Sequence, residues 1–142
     1  MMKLFLDTNI LLDILQGKRP SHQTSSLILE GAKKQLYEVQ ISIQSIADVT
    51  YIAIRNGIPF DAVSRLSSWM LDHVNVEGPD SFHLRDAIEG HTGDFEDDLH
   101  YAYAQDNACD IIITGDRQFI QRKTPGDILM MTPEEFVGRM TR

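Results

Sequence analysis

The sequence predicts an α/β protein, a three-layer α/β/α sandwich with a mostly parallel central sheet, in a single domain over residues 1–142. Short apolar runs of strand length alternate along the chain with longer segments of helical periodicity, which is the pattern of parallel strands joined by helices. The length matches one domain of common size, and no repeat, linker or low-complexity tract divides the chain.

The first half of the chain is predicted to contain two strands and four helices. A short apolar run forms the first strand, and the segment after it carries apolar residues at helical spacing. The β-branched residues Val39, Ile41 and Ile43 stand at alternate positions and indicate a second strand. An amphipathic stripe from Ala62 to Met70 indicates a helix. The predicted strands are 3–6 and 37–43, and the predicted helices are 8–16, 21–34, 44–56 and 59–72.

The second half is predicted to contain three strands and three helices. The segment 110–114 is almost continuously apolar, as in a strand buried on both faces. Pro133 suits the first position of a helix, where its missing N–H is not needed. The predicted strands are 74–77, 110–114 and 128–131, and the predicted helices are 81–89, 95–107 and 133–140. Turn signals occur at Gly17 to Pro20, Gly57 to Pro59, Gly78-Pro79 and Pro125-Gly126.

The composition excludes several classes of protein. A single cysteine, Cys109, cannot form an intramolecular disulfide, and its apolar neighbours indicate packing rather than a catalytic thiol. The N-terminal apolar run is too short for a signal peptide, and no segment approaches the ~20 apolar residues of a membrane span. We therefore expect a cytoplasmic protein with no membrane association. The net charge of −8 opposes indiscriminate coating of nucleic acid but permits RNA binding through local basic patches and bridging metal ions.

Four aspartates are predicted to converge at one edge of the sheet. Asp7 ends the first strand, Asp48 lies one turn into the helix after the second strand, and Asp116 follows the strand at 110–114. Asp97 lies in the first turn of the helix that precedes that strand. Parallel strands end at a common edge, where ligands bind in such sheets, so the four carboxylates are expected to meet there.

Each of these acids also has a structural explanation. Asp is a favoured N-cap, and Asp7, Asp94 and Asp116 all stand where helices are expected to begin. Asp48 has no capping use because it lies inside a helical run, although an exposed helix face would also accommodate it.

A cluster of carboxylates points to a bound cation. At ~4 Å and an effective dielectric constant of ~20, two carboxylates repel by about 4 kcal/mol, so they persist together only when protonated or bound to a cation. Oxygen ligands suit Mg²⁺ or Mn²⁺ better than zinc. Such ions activate water and bridge phosphate oxygens, so the pattern indicates hydrolysis of phosphodiesters.

Four segments of the chain resemble the PIN-domain family, most of all the VapC-type ribonuclease toxins and their close relatives. The segments are 5–11, 42–48, 94–99 and 113–119, with the sequences FLDTNIL, SIQSIAD, DFEDDL and ITGDRQF. Their order and spacing are more specific than any one motif, and the resemblance extends from residue 3 to about residue 135.

The resemblance implies an endoribonuclease that uses Mg²⁺ or Mn²⁺ in an acidic cleft and cleaves structured RNA to leave a 5′-phosphate. It also implies the toxin of a toxin–antitoxin pair, with a small antitoxin protein that covers the cleft, and a possible homodimer. By match with the family, six residues form the site: the metal-binding and catalytic acids Asp7, Asp48, Asp97 and Asp116, and the supporting polar residues Asn9 and Thr114.

Two of the matched positions leave a choice. The second acid is commonly Glu in the family, and Asp48 is one methylene shorter, so contact with metal through water is an alternative to direct contact. In the third segment Glu96, Asp97 and Asp98 are adjacent. Asp97 is preferred because it shares a helix face with Tyr101, and Asp98 is expected to be solvated.

Three other functions remain open. A degenerate PIN-like module would bind RNA or a protein without catalysis, and a DNA or flap nuclease would use the same metal site. A metal-independent ribonuclease would need two of the five scattered histidines to converge as acid and base, although a lone histidine is usually exposed or a satisfied polar residue.

Basic residues are candidates for contact with RNA phosphates, although most isolated basic residues are simply exposed. Arg117 is the preferred candidate because it adjoins Asp116. The others are Lys18, Arg19, Lys33, Lys34, Arg55, Arg122 and Lys123.

Overall fold

The structure is a computed structural model that describes residues 1–122 and 128–141. Within these residues, five strands form one sheet in the order β3-β2-β1-β4-β5, and every neighbouring pair is parallel. The strands are β1 (Lys3–Leu6), β2 (Glu38–Ser42), β3 (Asn75–Glu77), β4 (Ile111–Ile113) and β5 (Leu129–Met131). The sheet is therefore fully parallel over the described residues, where the sequence predicted a mostly parallel one.

Helices connect the strands and cover the sheet. They are α1 (Thr8–Leu15), α2 (His22–Lys33), α3 (Ile43–Arg55), α4 (Phe60–His73), α5 (Ser81–Glu89), α6 (Phe95–Asp106), α7 (Arg117–Gln121) and α8 (Pro133–Met140). Over the described ranges, no helix combines the length and the apolar content needed to cross a bilayer.

The two faces of the sheet pack into separate apolar cores, because successive side chains of a strand point to opposite faces. In β1, Leu4 and Leu6 join the larger core, which includes residues of α1, α2 and α8. Phe5 joins the smaller core on the other face, with Tyr103 of α6 and Phe119 of α7. This packing confirms the predicted three-layer α/β/α sandwich.

Cys109 packs in the smaller core beside β4. Burial raises the pKa of its thiol to about 11. The thiol therefore stays protonated at neutral pH, and the predicted packing role is confirmed.

Every element with a predicted range is present, with bounds that agree within one residue. The predicted strand at 37–43 ends at Ser42, because the Ser42 hydroxyl accepts a hydrogen bond from the Gln44 N–H and caps α3. Ile43 consequently belongs to the helix. The five-residue α7 had no predicted range, since it is too short to show a helical period. The predicted turn at Pro125-Gly126 lies outside the described residues.

The order of the strands determines where a site can form. The chain crosses from β1 to β2 and β3 on one side, and β4 and β5 lie on the other side of β1. The direction of the connections therefore reverses between β1 and β4. A crevice forms at the carboxyl ends of the strands on either side of such a switch point.

Candidate active site

Asp7 lies at this switch point, directly after β1, and its side chain is held from four directions. Its Oδ1 accepts hydrogen bonds from the Thr8 N–H at 2.9 Å and from His100 Nδ1 at 3.0 Å. Its Oδ2 accepts from the Thr114 hydroxyl at 2.8 Å and from Asn9 Nδ2 at 3.2 Å. Asp7 is 5% exposed. Asp7 is the N-cap of α1, as its structural explanation predicted, but the bond from the Thr8 N–H is only one of the four bonds that its carboxylate accepts.

Asp7 and His100 form a buried ion pair. Burial by itself would raise the pKa of Asp7, but the hydrogen bond and charge of His100, together with the bonds from Thr114 and Thr8, lower it. Burial would likewise lower the pKa of His100, yet its bond to Asp7 and the nearby charges of Glu96 and Asp97 raise it. Each partner therefore stabilises the charged form of the other.

A chain of hydroxyl groups links His100 to Glu96. Ser45 Oγ lies 3.5 Å from His100 Nε2 and 2.9 Å from Thr8 Oγ1, and the Thr8 hydroxyl donates to Glu96 Oε1 at 3.2 Å. Burial raises the pKa of Glu96, His100 partly offsets this, and the charges of Asp48 and Asp7 raise it further. Glu96 therefore belongs to the acidic cluster, although Asp97 is the acid of this segment that the sequence favoured.

Asp48 lies half-buried on α3, one turn after Ser45. Its negative charge contributes to the raised pKa of Glu96, which places the two carboxylates close enough to repel each other. Asp48 is therefore partly accessible to solvent and lies near Glu96 on the α3 side of the cluster, and its role in the site stays a prediction.

Asp97 is buried in the first turn of α6, and its pKa is strongly raised. Burial and the charges of Asp7, Asp94 and Asp116 raise its pKa to about 7, and the charge of Arg122 offsets part of this. Arg122 Nη2 donates to Asp97 Oδ2 at 2.6 Å. Asp97 is therefore electrostatically coupled to both Asp7 and Asp116.

Asp116 follows β4 and caps α7, because its Oδ1 accepts from the Gln118 N–H at 2.9 Å. The Asp116 N–H donates to Thr114 Oγ1 at 3.0 Å, and the same hydroxyl donates to Asp7. Asn9 Oδ1 accepts from the Gly115 N–H at 2.8 Å. Thr114 and Asn9 thus tie the end of β4 to the end of β1, and their role as supporting residues stays what the family resemblance implies.

The expectation that Asp98 is solvated is wrong. Asp98 is 7% exposed, and its carboxylate accepts hydrogen bonds from His91 Nδ1 at 2.7 Å, from the Thr92 N–H at 3.1 Å and from the Thr92 hydroxyl. Burial opposes its charge, but these bonds lower its pKa. Asp98 anchors the loop between α5 and α6, while its neighbour Asp97 faces the acidic cluster.

Arg122 is a basic residue in direct contact with an acid of the site, and the preference for Arg117 as a contact for RNA phosphate stays a prediction. Arg117 is exposed, and within the described ranges it pairs with none of the acids. Arg122 lies at the other end of α7, so only recognition of α7 as a helix would have directed attention to it. Lys123 lies outside the described residues.

Two other site residues had a detectable sequence signal. Glu96 and His100 are separated by four positions in α6, and residues at that spacing share a helix face. A search for polar residues on the cleft-facing side of α6 would have found both.

The composition of the cluster fits a hard divalent cation. Among the described residues, the carboxylates gathered at this end of the sheet include those of Asp7, Asp48, Glu96, Asp97 and Asp116. His100 and Arg122 neutralise only part of their charge. Carboxylate oxygens are the ligands that Mg²⁺ and Mn²⁺ prefer. As the side chains stand in residues 1–122 and 128–141, however, no three His, Cys, Asp or Glu groups are arranged to hold a metal ion.

Comparison with known proteins gives one family. The sequence model of the PIN domain matches residues 3–118. A curated relative, ribonuclease VapC1 from Aquifex aeolicus (strain VF5), is 28% identical over 145 residues, which cover 96% of this chain and 94% of the relative.

Solved structures show the same fold. VapC20 of Mycobacterium tuberculosis, described as a Sarcin-Ricin loop cleaving toxin, superposes with a TM-score of 0.68 at 17% identity, over 82% of this chain and 92% of that one. VapBC2 of Rickettsia felis, bound to a DNA fragment from its promoter, superposes with a TM-score of 0.66 at 16% identity, over 92% and 98%. VapBC-1 of nontypeable Haemophilus influenzae gives a TM-score of 0.63 at 19% identity, over 94% and 99%.

Proposed function

The chain belongs to the PIN-domain family, and from this premise we propose that it is a Mg²⁺- or Mn²⁺-dependent endoribonuclease and the toxin of a toxin–antitoxin pair. In this proposal residues 1–142 form one nuclease domain that acts in the cytoplasm on structured RNA. A small antitoxin protein covers the acidic cleft, and the toxin forms a homodimer.

The observation that carries the proposal is the coupling of Asp97 to Asp7 and Asp116 at the carboxyl ends of β1 and β4. The pKa of Asp97 rises to about 7 because Asp97 is buried among other carboxylates. Carboxylates that repel one another destabilise a fold, and here they lie at the edge of the sheet where ligands bind in such folds. Acids with strongly shifted pKa values in a cleft are typical of functional sites.

In the proposed metal-dependent hydrolase, the residues of the cluster either bind the ion or orient the residues that bind it. Asp7, Asp97 and Asp116 would hold the ion, with Asp48 in direct contact or in contact through water. When bound, the ion supplies an activated water and neutralises charge on the scissile phosphate. Thr114 and Asn9 orient Asp7 through its Oδ2.

His100 supports the same site by bonding the other carboxylate oxygen of Asp7. It holds Asp7 Oδ1 and lowers the pKa of Asp7, so that the carboxylate stays ionised. His100 does not act as one of two catalytic histidines in this proposal, because its ring is fully buried and bonded to Asp7.

The relatives supply the substrate class and the partner. The Aquifex protein is named a ribonuclease, and the Mycobacterium toxin is described as cleaving the Sarcin-Ricin loop. The neighbours from Rickettsia and Haemophilus are VapBC proteins, and a Klebsiella pneumoniae neighbour, with a TM-score of 0.65, is a toxin–antitoxin complex. We extend both properties to this chain as part of the proposal.

The proposal is tested with purified protein and a structured RNA labelled at its 5′ end. We expect cleavage with Mg²⁺ or Mn²⁺, none in chelator, and none with Ca²⁺, which accepts looser geometry and activates water poorly. Asp116→Asn should abolish cleavage, while the matched change Asp72→Asn, at an exposed position of α4, should leave it intact.

Three outcomes would contradict the proposal in different ways. Undiminished cleavage in chelator would exclude the metal mechanism. RNA that is bound but never cut in Mg²⁺ or Mn²⁺ would indicate a degenerate binding module. Preferential cutting of single-stranded or flap DNA, offered in parallel, would indicate the DNA nuclease.

A further inference from the structure

We propose that Arg122 and the divalent cation compete for the carboxylate of Asp97, and that the displaced guanidinium then binds an RNA phosphate beside the cleavage site. The inference deepens the proposed function and rests on it, since both concern the same acidic cluster. It assigns to Arg122 a role in substrate binding that begins only when the site is loaded.

The contact itself bridges two separate elements. Arg122 ends α7, and its Nη2 donates to Asp97 Oδ2 in the first turn of α6 at 2.6 Å. Its Nε donates to the Gln118 carbonyl at 3.3 Å, which fixes the side chain along its own helix. The Arg122 side chain is 23% exposed and that of Asp97 is 10% exposed. The guanidinium therefore lies at the rim of the cleft, between solvent and the buried acids.

Arg122 bonds Oδ2 of a carboxylate that the cation would need. Asp97 is surrounded by the negative charges of Asp7, Asp94 and Asp116, and Arg122 is the group that offsets them. A divalent ion at the same carboxylate would carry twice the positive charge and would repel the guanidinium at contact distance. The ion and Arg122 therefore exclude each other at Asp97.

The displaced guanidinium remains near the site because α7 holds its backbone. Asp116, which belongs to the acidic cluster, caps the start of the same helix, and Arg122 caps its end. A guanidinium has five N–H donors in a planar fork that matches two phosphate oxygens. Since the chain carries a net charge of −8, RNA approaches an acidic surface, and a positive side chain released at the rim would favour its binding.

A purely structural ion pair makes a different prediction. If Arg122 only stabilised α7 against α6, its removal would lower stability and leave the affinity for metal unchanged or weaker. Competition predicts changes of opposite sign instead, with tighter metal binding and weaker RNA binding in the same variant.

The experiment measures both affinities on the full chain. Titration calorimetry with Mn²⁺ alone, on chelator-treated protein, compares wild type, Arg122→Ala, Arg122→Lys and the control Arg139→Ala, which lies exposed on α8. We expect Arg122→Ala to bind Mn²⁺ about 5-fold more tightly or better, the lower end of the usual coupling between two ligands. Arg122→Lys should be intermediate, and Arg139→Ala should match wild type.

RNA binding is measured with the same proteins by fluorescence anisotropy, in Ca²⁺ so that the RNA stays intact. Arg122→Ala should bind RNA about 10-fold more weakly and cleave it in Mg²⁺ with a correspondingly lower kcat/KM, and the control should change neither. Arg122→Lys keeps the positive charge but loses the planar set of guanidinium donors, so its RNA affinity should lie between those of Arg122→Ala and wild type.

The outcomes separate this inference from the proposed function. Unchanged or weaker Mn²⁺ binding by folded Arg122→Ala overturns the competition, and unchanged RNA affinity overturns the phosphate contact. Wild type that binds Mn²⁺ but cleaves no RNA contradicts the proposed function, while the Mn²⁺ comparison still decides the competition. Thermal unfolding shows whether Arg122→Ala folds. If it does not, Arg122→Gln, which retains bulk and donors without charge, replaces it in both titrations.

Discussion

His100 Nδ1 lies 3.0 Å from Oδ1 of Asp7, and both side chains are buried beneath the acidic cleft. The pair joins the end of β1 to the middle of α6, two elements that are 93 residues apart in sequence. Removal of one partner from a buried ion pair leaves the other without compensation, which costs far more than the pair contributes. The site is therefore also part of what holds the fold together.

Asp7→Asn is expected to destabilise the protein. Repulsion among carboxylates alone would make the change neutral or stabilising, but Asp7 accepts four hydrogen bonds and an amide offers only one acceptor oxygen. We expect a loss of about 2–4 kcal/mol in the free energy of unfolding, measured by urea denaturation in chelator.

Asp116→Asn is the matched control for this measurement. Its carboxylate caps α7, and Asn is an equally good N-cap, so stability should change by less than about 0.5 kcal/mol. Equal stability of the two variants would mean that the bonds to Asp7 contribute nothing to folding.

The ion pair also predicts a pH dependence of stability. The pKa of His100 is raised by Asp7, so its contribution is full below the ordinary histidine value of about 6.5 and declines as pH rises through its folded pKa. The pKa of Asp7 is lowered, so its contribution is present above about 3.9 and is lost as pH falls through its folded pKa.

His100→Gln tests this dependence, because glutamine keeps a donor but cannot be charged. The difference in unfolding free energy between wild type and His100→Gln, in chelator, should be largest between about pH 4 and pH 6.5 and shrink on both sides. A difference that is flat from pH 4 to pH 9 would show that His100 is uncharged in the folded protein.

Most of the fold could be predicted from the sequence because its signals are local. Alternating β-branched residues in β2, the apolar run in β4 and Pro133 at the start of α8 each determine their element with little tertiary context. The five-residue α7 could not be predicted, because a helix of that length is too short to show a full amphipathic period. Its start is marked instead by the cap at Asp116.

The site was only partly predictable, because tertiary contacts decide the role of each polar residue. Asp7 follows from the end of β1, where topology brings side chains together, whereas Thr114 and Asn9 were implied only by the family resemblance. Asp98 was assigned to solvent because nothing local reveals that the loop at 91–92 folds back onto it. The contact between Arg122 and Asp97 is likewise tertiary, and nothing local reveals it.

Asp48 and Glu96 are expected to differ in their effect on the reaction. Asp48→Ala should lower metal affinity or the rate of cleavage on the order of 10-fold, the size expected for a ligand or a group behind it. Asp48→Glu should keep or raise activity, because the longer side chain reaches further towards the ion. Glu96→Gln should have a smaller effect, since its carboxylate already accepts from Thr8.

Cleavage rates across a Mg²⁺ titration decide these points. Unchanged cleavage by Asp48→Ala would remove Asp48 from the site. A loss with Glu96→Gln that equals or exceeds the loss with Asp48→Ala would make Glu96 the second acid of the cluster.

The adjacent residues Asp97 and Asp98 give the last prediction, because their carboxylates respond to pH in opposite directions. The pKa of Asp97 is raised to about 7, above its unfolded value of about 3.9, so wild type loses stability as pH rises between these values. Asp97→Asn removes that loss, and its amide oxygen can still accept from Arg122. The variant should match wild type at pH 4, be more stable at pH 8, and lack cleavage at any pH.

Asp98→Asn should behave in the opposite way. The pKa of Asp98 is lowered by its bonds to Thr92 and His91, so its contribution is present above about 3.9 and is lost as pH falls through its folded pKa. At pH 8 the variant should therefore be less stable by about 1.5–3 kcal/mol, the usual value of a hydrogen bond to a charged group, while the folded fraction still cleaves RNA. Urea denaturation and cleavage assays at pH 4, 6 and 8 measure both variants. Loss of cleavage in folded Asp98→Asn with retention in Asp97→Asn would reverse the assignment, and Asp98 would be the third acid of the site.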